Sequence, residues 1–242
     1  MNKVVIVTGS SRGIGAATIK EFAKNNFNVV INYINSEKEA NELKDEIESN
    51  YKIKALVIKA DVSKEEEVLK LIDNTLKEFN RIDVLVNNAG IAIDTTLEDK
   101  TVDNFKKIID TNLISTFLMC KHIGKIMLKQ GNGSIVNISS TNGIDSYYPF
   151  SMDYDASKAG VISLTHNFAK LYAPNIRVNS IAPGWVNTNM NKELSEEFKE
   201  EELKHILLNR FAEVEEIAKE VYHVANSTYL NDSIIKVDGG RC

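Results

Sequence analysis

KVVIVTGSSRGIGAATIKEFAKNNF, residues 3–27, is the stretch whose reading decides the fold. Lys3 to Thr8 is an apolar, β-branched run of strand length that breaks on Gly9. Apolar residues then return at helical spacing (Ile14, Ala17, Ile19, Phe22 and Ala23), so a helix opens at about Gly13. Between the two lies Gly9-Ser10-Ser11-Arg12-Gly13-Ile14-Gly15. A strand feeding a helix through such a turn aims the helix's unpaired N–H groups and positive dipole end at one point, which suits a pyrophosphate. Gly9 then permits the tight turn, Gly13 the approach of backbone to phosphate, and Gly15 the close packing of helix on strand. The spacing is GxxxGxG rather than GxGxxG, so an ordinary glycine-bearing loop stays open as the competing reading.

Outward from this unit the pattern repeats. Asn28–Tyr33 reads as a second strand and Ser36 to Asn50 as a polar helix, with Ser36 and Glu39 in capping-box spacing. A third strand, Ile53–Ala60, ends in Asp61-Val62. The helix that follows opens at Ser63, carries Glu65, Glu66 and Glu67 in its first turn, and keeps Val68, Leu71, Ile72, Leu76 and Phe79 on one face. Asp83–Val86 is a short apolar strand running into Asn87-Asn88-Ala89-Gly90. Strands apolar on both faces, alternating with helices, predict a doubly wound α/β fold: a parallel sheet of about seven strands with helices on both sides.

Residues 91–100 are irregular, and one long helix is expected from about Val102 to Lys129. Phe105, Ile108, Ile109, Asn112, Leu113, Thr116, Phe117, Cys120, Ile123 and Met127 form one stripe, with Ile114, Leu118, Met119, Ile126 and Leu128 off it. Two apolar faces mean either a helix deep in a large core or an outer face packed on a second subunit. The order closes with a strand at Gly133–Ser140, a polar and aromatic loop through Met152, and a helix from Asp153 to about Ala173. A strand at Ile176–Ile181, a helix at Glu213–Asn226 and a last strand at Ser233–Val237 follow. The charged segment 187–210 reads as a helical cover. No repeat, linker or composition break divides the chain, so residues 1–242 read as a single nucleotide-binding domain.

With 43% hydrophobic and 26% charged residues over 242, the chain can bury a full core. A net charge of −5 and the lack of a basic run argue against a nucleic-acid partner. No apolar run reaches bilayer length, and a first strand at Lys3 leaves no room for a signal peptide, so a cytoplasmic protein without membrane attachment is expected. Cys120 sits in an apolar helical stretch and Cys242 is the last residue. Neither belongs to a metal or redox motif, and no disulfide is expected between them.

Ligands of a doubly wound sheet bind outside the carboxyl ends of its strands. The residues there are Gly9–Gly15, Tyr33, Asp61-Val62, Asn88-Gly90, Ser139-Ser140 and Pro183-Gly184, small or polar wherever the chain reaches that edge. TGSSRGIG at 8–15, Asp61-Val62, Asn87-Asn88-Ala89-Gly90, Asn112 in TNL, Ser140 in ISS, Tyr154 and Lys158 in YDASK, and Pro183-Gly184 together resemble the short-chain dehydrogenase/reductase family over the whole chain. VNSIAPGWVNTNM and the closing IKVDGG look most like its 3-oxoacyl-(acyl-carrier-protein) reductases. The resemblance implies a Rossmann-type fold, a homotetramer, and reduction of a carbonyl, foremost a 3-oxoacyl thioester, to the alcohol. It implies cofactor contacts from Gly9, Ser11, Arg12, Gly13, Ile14, Gly15, Asn32, Tyr33, Asp61, Val62, Asn88, Ala89, Gly90, Tyr154, Lys158, Pro183, Gly184, Val186 and Thr188.

Tyr154 and Lys158, at i and i+4, are neighbours on one helix face. A phenol with a pKa near 10 is a poor base at neutral pH, and an ammonium beside it favours the phenolate. Tyr154 would give a proton to the carbonyl oxygen in reduction and take one in oxidation. The resemblance implies that Lys158 also holds the nicotinamide ribose. Ser140 would hydrogen-bond the substrate oxygen; Ser139 is its rival, and the resemblance selects the second serine. Asn112, polar within an apolar stripe, needs partners if buried. The resemblance gives it a water in a proton relay from Tyr154 through the ribose and Lys158, and a core Asn satisfied by backbone is the alternative.

NAD sites place a carboxylate about twenty residues past the glycine loop, on the ribose hydroxyls. Tyr33 stands at that place here, no acid appears before Glu37, and Arg12 can meet a 2′-phosphate. NADP(H) is the expected cofactor, and no metal is expected. Carrier-protein reductases hold their acidic carrier with basic residues that align near Gly131 and Asn175, both uncharged here, so acyl carrier protein is expected to dock weakly. Lys129 and Lys170 are close but not equivalent. The loop from Ser140 to Tyr154 is one residue longer than in those relatives and carries Tyr147, Tyr148, Pro149 and Phe150. That lining suits a second reading, a reductase or dehydrogenase of another small carbonyl or alcohol such as a sugar, quinone or ketone. A third is a non-catalytic NADP sensor, against which the joint presence of Asn112, Ser140, Tyr154 and Lys158 speaks.

Overall fold

The computed structural model describes residues 2–188 and 194–241. Seven strands, β1 (Val4–Val7), β2 (Asn28–Tyr33), β3 (Ala55–Lys59), β4 (Val84–Asn87), β5 (Gly133–Ile138), β6 (Ile176–Pro183) and β7 (Ile234–Val237), form one sheet in the order β3-β2-β1-β4-β5-β6-β7. Every pairing is parallel. The helices among the described residues are α1 (Gly13–Lys24), α2 (Glu37–Asn50), α3 (Glu65–Phe79), α4 (Val102–Ile109), α5 (Ser115–Gln130), α6 (Met152–Tyr172), α7 (Glu196–Leu203) and α8 (Val214–Asn226).

β1 is buried throughout, and its side chains alternate between two cores, as a strand covered on both faces must. Val4 and Ile6 belong to one core together with Leu71 of α3, Met119 and Ile123 of α5 and Phe168 of α6. Val5 and Val7 belong to the other, with Ile19 and Phe22 of α1, Ile47 of α2 and Val221 and Val224 of α8. The expected architecture therefore holds, with helices on both sides of the sheet.

Some local signals resolve differently from their sequence reading. Ser36 precedes α2, but its side chain makes no cap hydrogen bond. α3 opens at Glu65 rather than Ser63, because Asp61 Oδ1 accepts both the N–H and the hydroxyl of Ser63, at 3.0 and 2.6 Å, and holds a turn there. The helix expected from 102 to 129 is α4 and α5 joined by a π-helical segment, Asp110–Ile114, with Asn112 at its centre. A π turn inserts one residue and advances the helix phase by roughly 100°. Leu118 and Met119, expected off the stripe, are in the core beside Thr116, Cys120, Ile123 and Met127, which keep their expected burial. Phe117, expected on it, lies outward with Ile114 and Leu128, each 37–39% exposed.

Of the cover expected at 187–210, residues 189–193 lie outside the described residues, as does Cys242. Glu196–Leu203 is helical, with Ser195 Oγ accepting Phe198 N–H at 3.2 Å. Among the described residues no helix is long and apolar enough to cross a membrane.

Candidate active site

The strand order reverses at the β1/β4 pair, and a crevice opens past their carboxyl ends. There Gly9 and Gly13 take φ of +60° and +57°, in the left-handed region. A Cβ on Gly9 would come within 2.9 Å of Ala89 Cα, whereas one on Gly13 would meet only Thr188 Cγ2, at 3.9 Å. Gly9 is thus pinned by its neighbour, and the space before Gly13 is open except for Thr188. Gly15 packs against Asn88, whose Nδ2 would lie 2.6 Å from an added Cβ. Arg12 N-caps α1 without a side-chain hydrogen bond, and the first turn holds no acid. The first N–H groups of α1 are therefore presented to an anion, a cradle that fits the diphosphate of a dinucleotide.

Several residues expected at the cofactor are supports of this cradle. Asn32 is 1% exposed; its Oδ1 accepts Gly9 N–H at 3.0 Å and its Nδ2 donates to Ala60 O at 3.0 Å. Asn88 Nδ2 donates to Thr8 O and Gly9 O at 2.9 and 3.0 Å, while Thr8 Oγ1 accepts the N–H groups of Asn88 and Ala89. Val62, Pro183 and Val186 are buried beneath the edge, whereas Ser11, Ile14, Asp61, Ala89, Gly90, Gly184 and Thr188 are half-buried along it and Arg12 is exposed. At the far end Tyr33 is buried, and its hydroxyl donates to the carboxylate of Glu37. Sequence spacing placed no acid there before Glu37; the first turn of α2 brings that acid back to the strand end.

The catalytic candidates converge past β4 and β5. Ser139 turns into the sheet, where its hydroxyl donates to Ile181 O at 3.1 Å and accepts from Ser180 Oγ at 2.8 Å. Ser140 points the other way: its hydroxyl is hydrogen-bonded to that of Tyr154 and accepts Asn142 N–H at 3.2 Å. Burial pushes the Tyr154 phenol up to about 12; the Ser140 bond opposes the rise, and the negative charges of Asp155 and Asp94 add to it. This reverses the expected drift toward phenolate. Lys158 Nζ lies 5.5 Å from the centroid of the Tyr154 ring and donates to Ile138 O at 2.8 Å, so the ammonium sits against the ring and burial dominates. Burial also brings Lys158 down to about 8.

Asn112 is 1% exposed, and its side chain is held on backbone and a hydroxyl. Oδ1 accepts Ile91 N–H at 2.8 Å, while Nδ2 donates to Ile91 O at 2.9 Å and to Ser157 Oγ at 3.0 Å. A Cβ on Gly90 would lie 3.4 Å from Asn112 Oδ1 and 3.5 Å from Lys158 Nζ, so the glycine keeps open the gap between them.

Of the far wall, the sequence marks only the end formed by Tyr148 and Phe150. Rings run from Phe150 through Tyr148, Phe198 and Trp185 to Phe211 with successive centroids 5.5, 6.3, 5.6 and 5.6 Å apart. Trp185 Nε1 donates to Glu202 Oε2 at 2.6 Å, and Arg241 pairs with the same carboxylate. Trp185 after Pro183-Gly184 was the only signal that this loop carries a ring inward. A cavity of about 350 Å³ lies outside the loop, between Tyr147–Pro149 and the outer face of α6; it touches Asn142 but neither Ser140 nor Tyr154, so it is not the carbonyl site. Gly131 and Asn175 precede β5 and β6, at the amino edge of the sheet opposite Tyr154. They do not flank the mouth of their own protomer. Among the described residues no cluster of three His, Cys, Asp or Glu side chains could hold a metal ion.

A family model described as short chain dehydrogenase matches residues 3–199. A 3-oxoacyl-[acyl-carrier-protein] reductase of Synechocystis sp. is 40% identical over 98% of this chain and 96% of its own. Among solved structures, a putative gluconate dehydrogenase from Agrobacterium tumefaciens superposes with a TM-score of 0.94 at 29% identity, covering 98% of this chain and 95% of that one. Levodione reductase superposes with a TM-score of 0.93 at 32% identity, covering 98% and 96%.

Proposed function

The chain belongs to the short-chain dehydrogenase family, oxidoreductases of CH–OH and C=O groups that use a nicotinamide cofactor, and we propose that it reduces a 3-oxoacyl thioester to the 3-hydroxyacyl thioester with NADPH. The observation that carries this reading is the pair of hydroxyls, Ser140 and Tyr154, hydrogen-bonded to each other above the buried ammonium of Lys158 at the carboxyl ends of β4 and β5. The similarity to 3-oxoacyl-[acyl-carrier-protein] reductases favours the thioester.

The cofactor, when bound along the crevice, supplies the hydride that reaches the carbonyl carbon. Ser140 donates a hydrogen bond to the carbonyl oxygen and fixes its direction. Tyr154, protonated at neutral pH, gives its proton to that oxygen as negative charge develops on it. A phenol held up near 12 carries its proton at pH 7, so it is in the form that a donor needs when the carbonyl is reduced. Lys158, still charged at pH 7, lies close enough to stabilise the phenolate left behind. Asn112 anchors Ile91, and the open gap at Gly90 leaves a path from Lys158 toward Asn112 by which a proton can return.

Tyr33 in place of an acid and exposed Arg12 support NADP(H), while Glu37 on Tyr33 weakens the preference by placing a carboxylate nearby. Acyl carrier protein is a weak partner in this reading, because the loop 91–100 presents exposed Glu98 and Asp99 and repels an acidic carrier. The ladder of rings favours a second reading, a cyclic or aromatic ketone as substrate.

Turnover of NADPH with an acetoacetyl thioester, free and carrier-bound, and with cyclic ketones, quinones and sugars tests both readings. The free thioester should be reduced, with little gain from the carrier. Tyr154→Phe should lower kcat by about 10²–10⁴-fold, the usual weight of general acid catalysis. Exclusive turnover of a cyclic ketone would move the enzyme to the second reading, and a Tyr154→Phe protein with wild-type turnover would remove the tyrosine from the chemistry.

A further inference from the structure

Lys100 and Asp153 form an ion pair that the mechanism does not use. Lys100 closes the irregular loop 91–100, and Asp153 stands in the first turn of α6, immediately before Tyr154. Their side chains are 5% and 0% exposed, and Lys100 Nζ lies 3.0 Å from both carboxylate oxygens. Asp153 Oδ1 also accepts the backbone N–H of Tyr154 at 3.0 Å, and Lys100 Nζ reaches Ile93 O at 3.4 Å.

We propose that Lys100 and Asp153 are a positioning pair: they tie the loop 91–100 to the first turn of α6 and so set the approach of the Tyr154 hydroxyl to the substrate oxygen. This rests on the reading of Tyr154 as the proton donor. Three observations join. The loop is clamped at its start by Asn112 on Ile91 and at its end by Lys100 on Asp153, with Asp94 between. Thr95 N–H donates to Phe150 O at 3.1 Å, a further tie to the segment leading into α6. Asp153 holds Tyr154 by its own backbone, so a shift of the carboxylate moves the residue that carries the phenol.

A buried ion pair is a poor device for stability, since an apolar pair of similar volume often serves as well or better. Its directional bonds are what an apolar pair lacks, and a catalytic group displaced by 1 Å can lose about 10²-fold in rate. The charged and titratable groups around the pair are Asp94 on the loop, Tyr154 and Asp155 on α6, and Tyr148 on the segment before it. Burial raises the Asp94 carboxyl; the charge of Lys100 holds it back, while Asp153 and Asp155 add to the rise.

The test uses the full chain with NADPH and an acetoacetyl thioester, comparing wild type, Lys100→Met, Lys100→Met/Asp153→Asn and Tyr154→Phe. Lys100→Met should lower kcat by about 10²-fold with NADPH affinity unchanged. Leaving a carboxylate buried without its cation should also add an ionisation to the kcat–pH profile that wild type lacks. The double variant buries no charge. It should lose the added ionisation, melt at least as high as Lys100→Met, and still turn over about tenfold more slowly than wild type. If Lys100→Met does not fold, the double variant decides alone. Wild-type kcat in the double variant beside an inactive Tyr154→Phe would overturn the positioning pair and leave the proton donor standing. Losses of kcat that follow melting temperature with no added ionisation would do the same. An active Tyr154→Phe would overturn the proton donor and this inference with it.

Discussion

Lys158 is buried under Tyr154, and the loss of solvent brings its ammonium down to about 8, whereas in the unfolded chain it keeps the ordinary value of 10.5. Between those limits the unfolded state binds the extra proton, so the stability contributed through Lys158 rises with pH across that window and is a cost below it. Cys120, Tyr154 and Tyr172, each pushed up to about 12 by burial from 9.0 or 10.0, act in the opposite sense, because the folded state keeps their protons longer. Lys158→Met removes only the first effect. It should be catalytically poor yet more stable at pH 7 by on the order of 2 kcal/mol, after allowing for the lost bond to Ile138 O. That advantage should shrink as pH approaches 10. Urea unfolding of both proteins at pH 7 and 10 gives the comparison, and a gain that grows with pH would contradict it. At the other end of the crevice, Tyr33→Asp should shift preference toward NADH by adding a carboxylate that repels a 2′-phosphate. Glu37→Gln should tighten NADPH roughly fivefold by removing one. Dissociation constants for both cofactors decide, and a wild type that holds NADH as tightly as NADPH would end the NADP(H) reading.

The elements are joined at points where no side chain can be added. At Gly124, α5 crosses α6 so closely that a Cβ would overlap the ring of Tyr172, whose hydroxyl donates to Cys120 O at 3.0 Å. The ring is itself stacked on Phe168, with centroids 5.3 Å apart, so it has little room to yield. Gly124→Ala should cost about 1–3 kcal/mol, the range for overpacking a well-filled core. The urea midpoint should fall with an unchanged m-value; an unaltered midpoint would mean that the two helices move apart freely. The π segment 110–114 works at the same scale. Its residue Asn112 lies against Ile91 and Ser157, and about two turns later Met119 is in the core.

At the scale of the molecule, the protomer leaves apolar surface bare on adjacent helices. Ile114, Phe117 and Leu128 are 37–39% exposed and Leu171 is 68% exposed. We propose that this surface packs on second copies of the chain, in a dimer that pairs into a tetramer. Sedimentation at micromolar concentration should show about four times the 27.1 kDa chain. Phe117→Glu together with Leu171→Glu should reduce that mass while the circular dichroism stays the same. A wild type that sediments as a monomer would leave these side chains as ordinary exposed residues.

Periodicity and turn chemistry are properties of neighbours along the chain, and whatever depends on them alone is determined by the sequence. The βα unit at 3–27, the apolar strands alternating with helices, the i, i+4 placement of Tyr154 and Lys158, and the polar edge from Gly9 to Gly184 all belong to that class. Other features arise only when distant segments meet. The sequence pattern of 102–129 is that of one straight helix; the π insertion follows from packing Asn112 onto a loop 21 residues earlier. The pairing of Lys100 with Asp153 spans 53 residues, and the meeting of Trp185 with Phe198 and Glu202 depends on how the β6–α8 connection folds back. The protonation of Tyr154 is of this kind too. Its partner Lys158 is plain from spacing, but the direction of the shift belongs to the tertiary structure, because desolvation depends on every group that excludes water from the phenol and outweighs the single charge beside it.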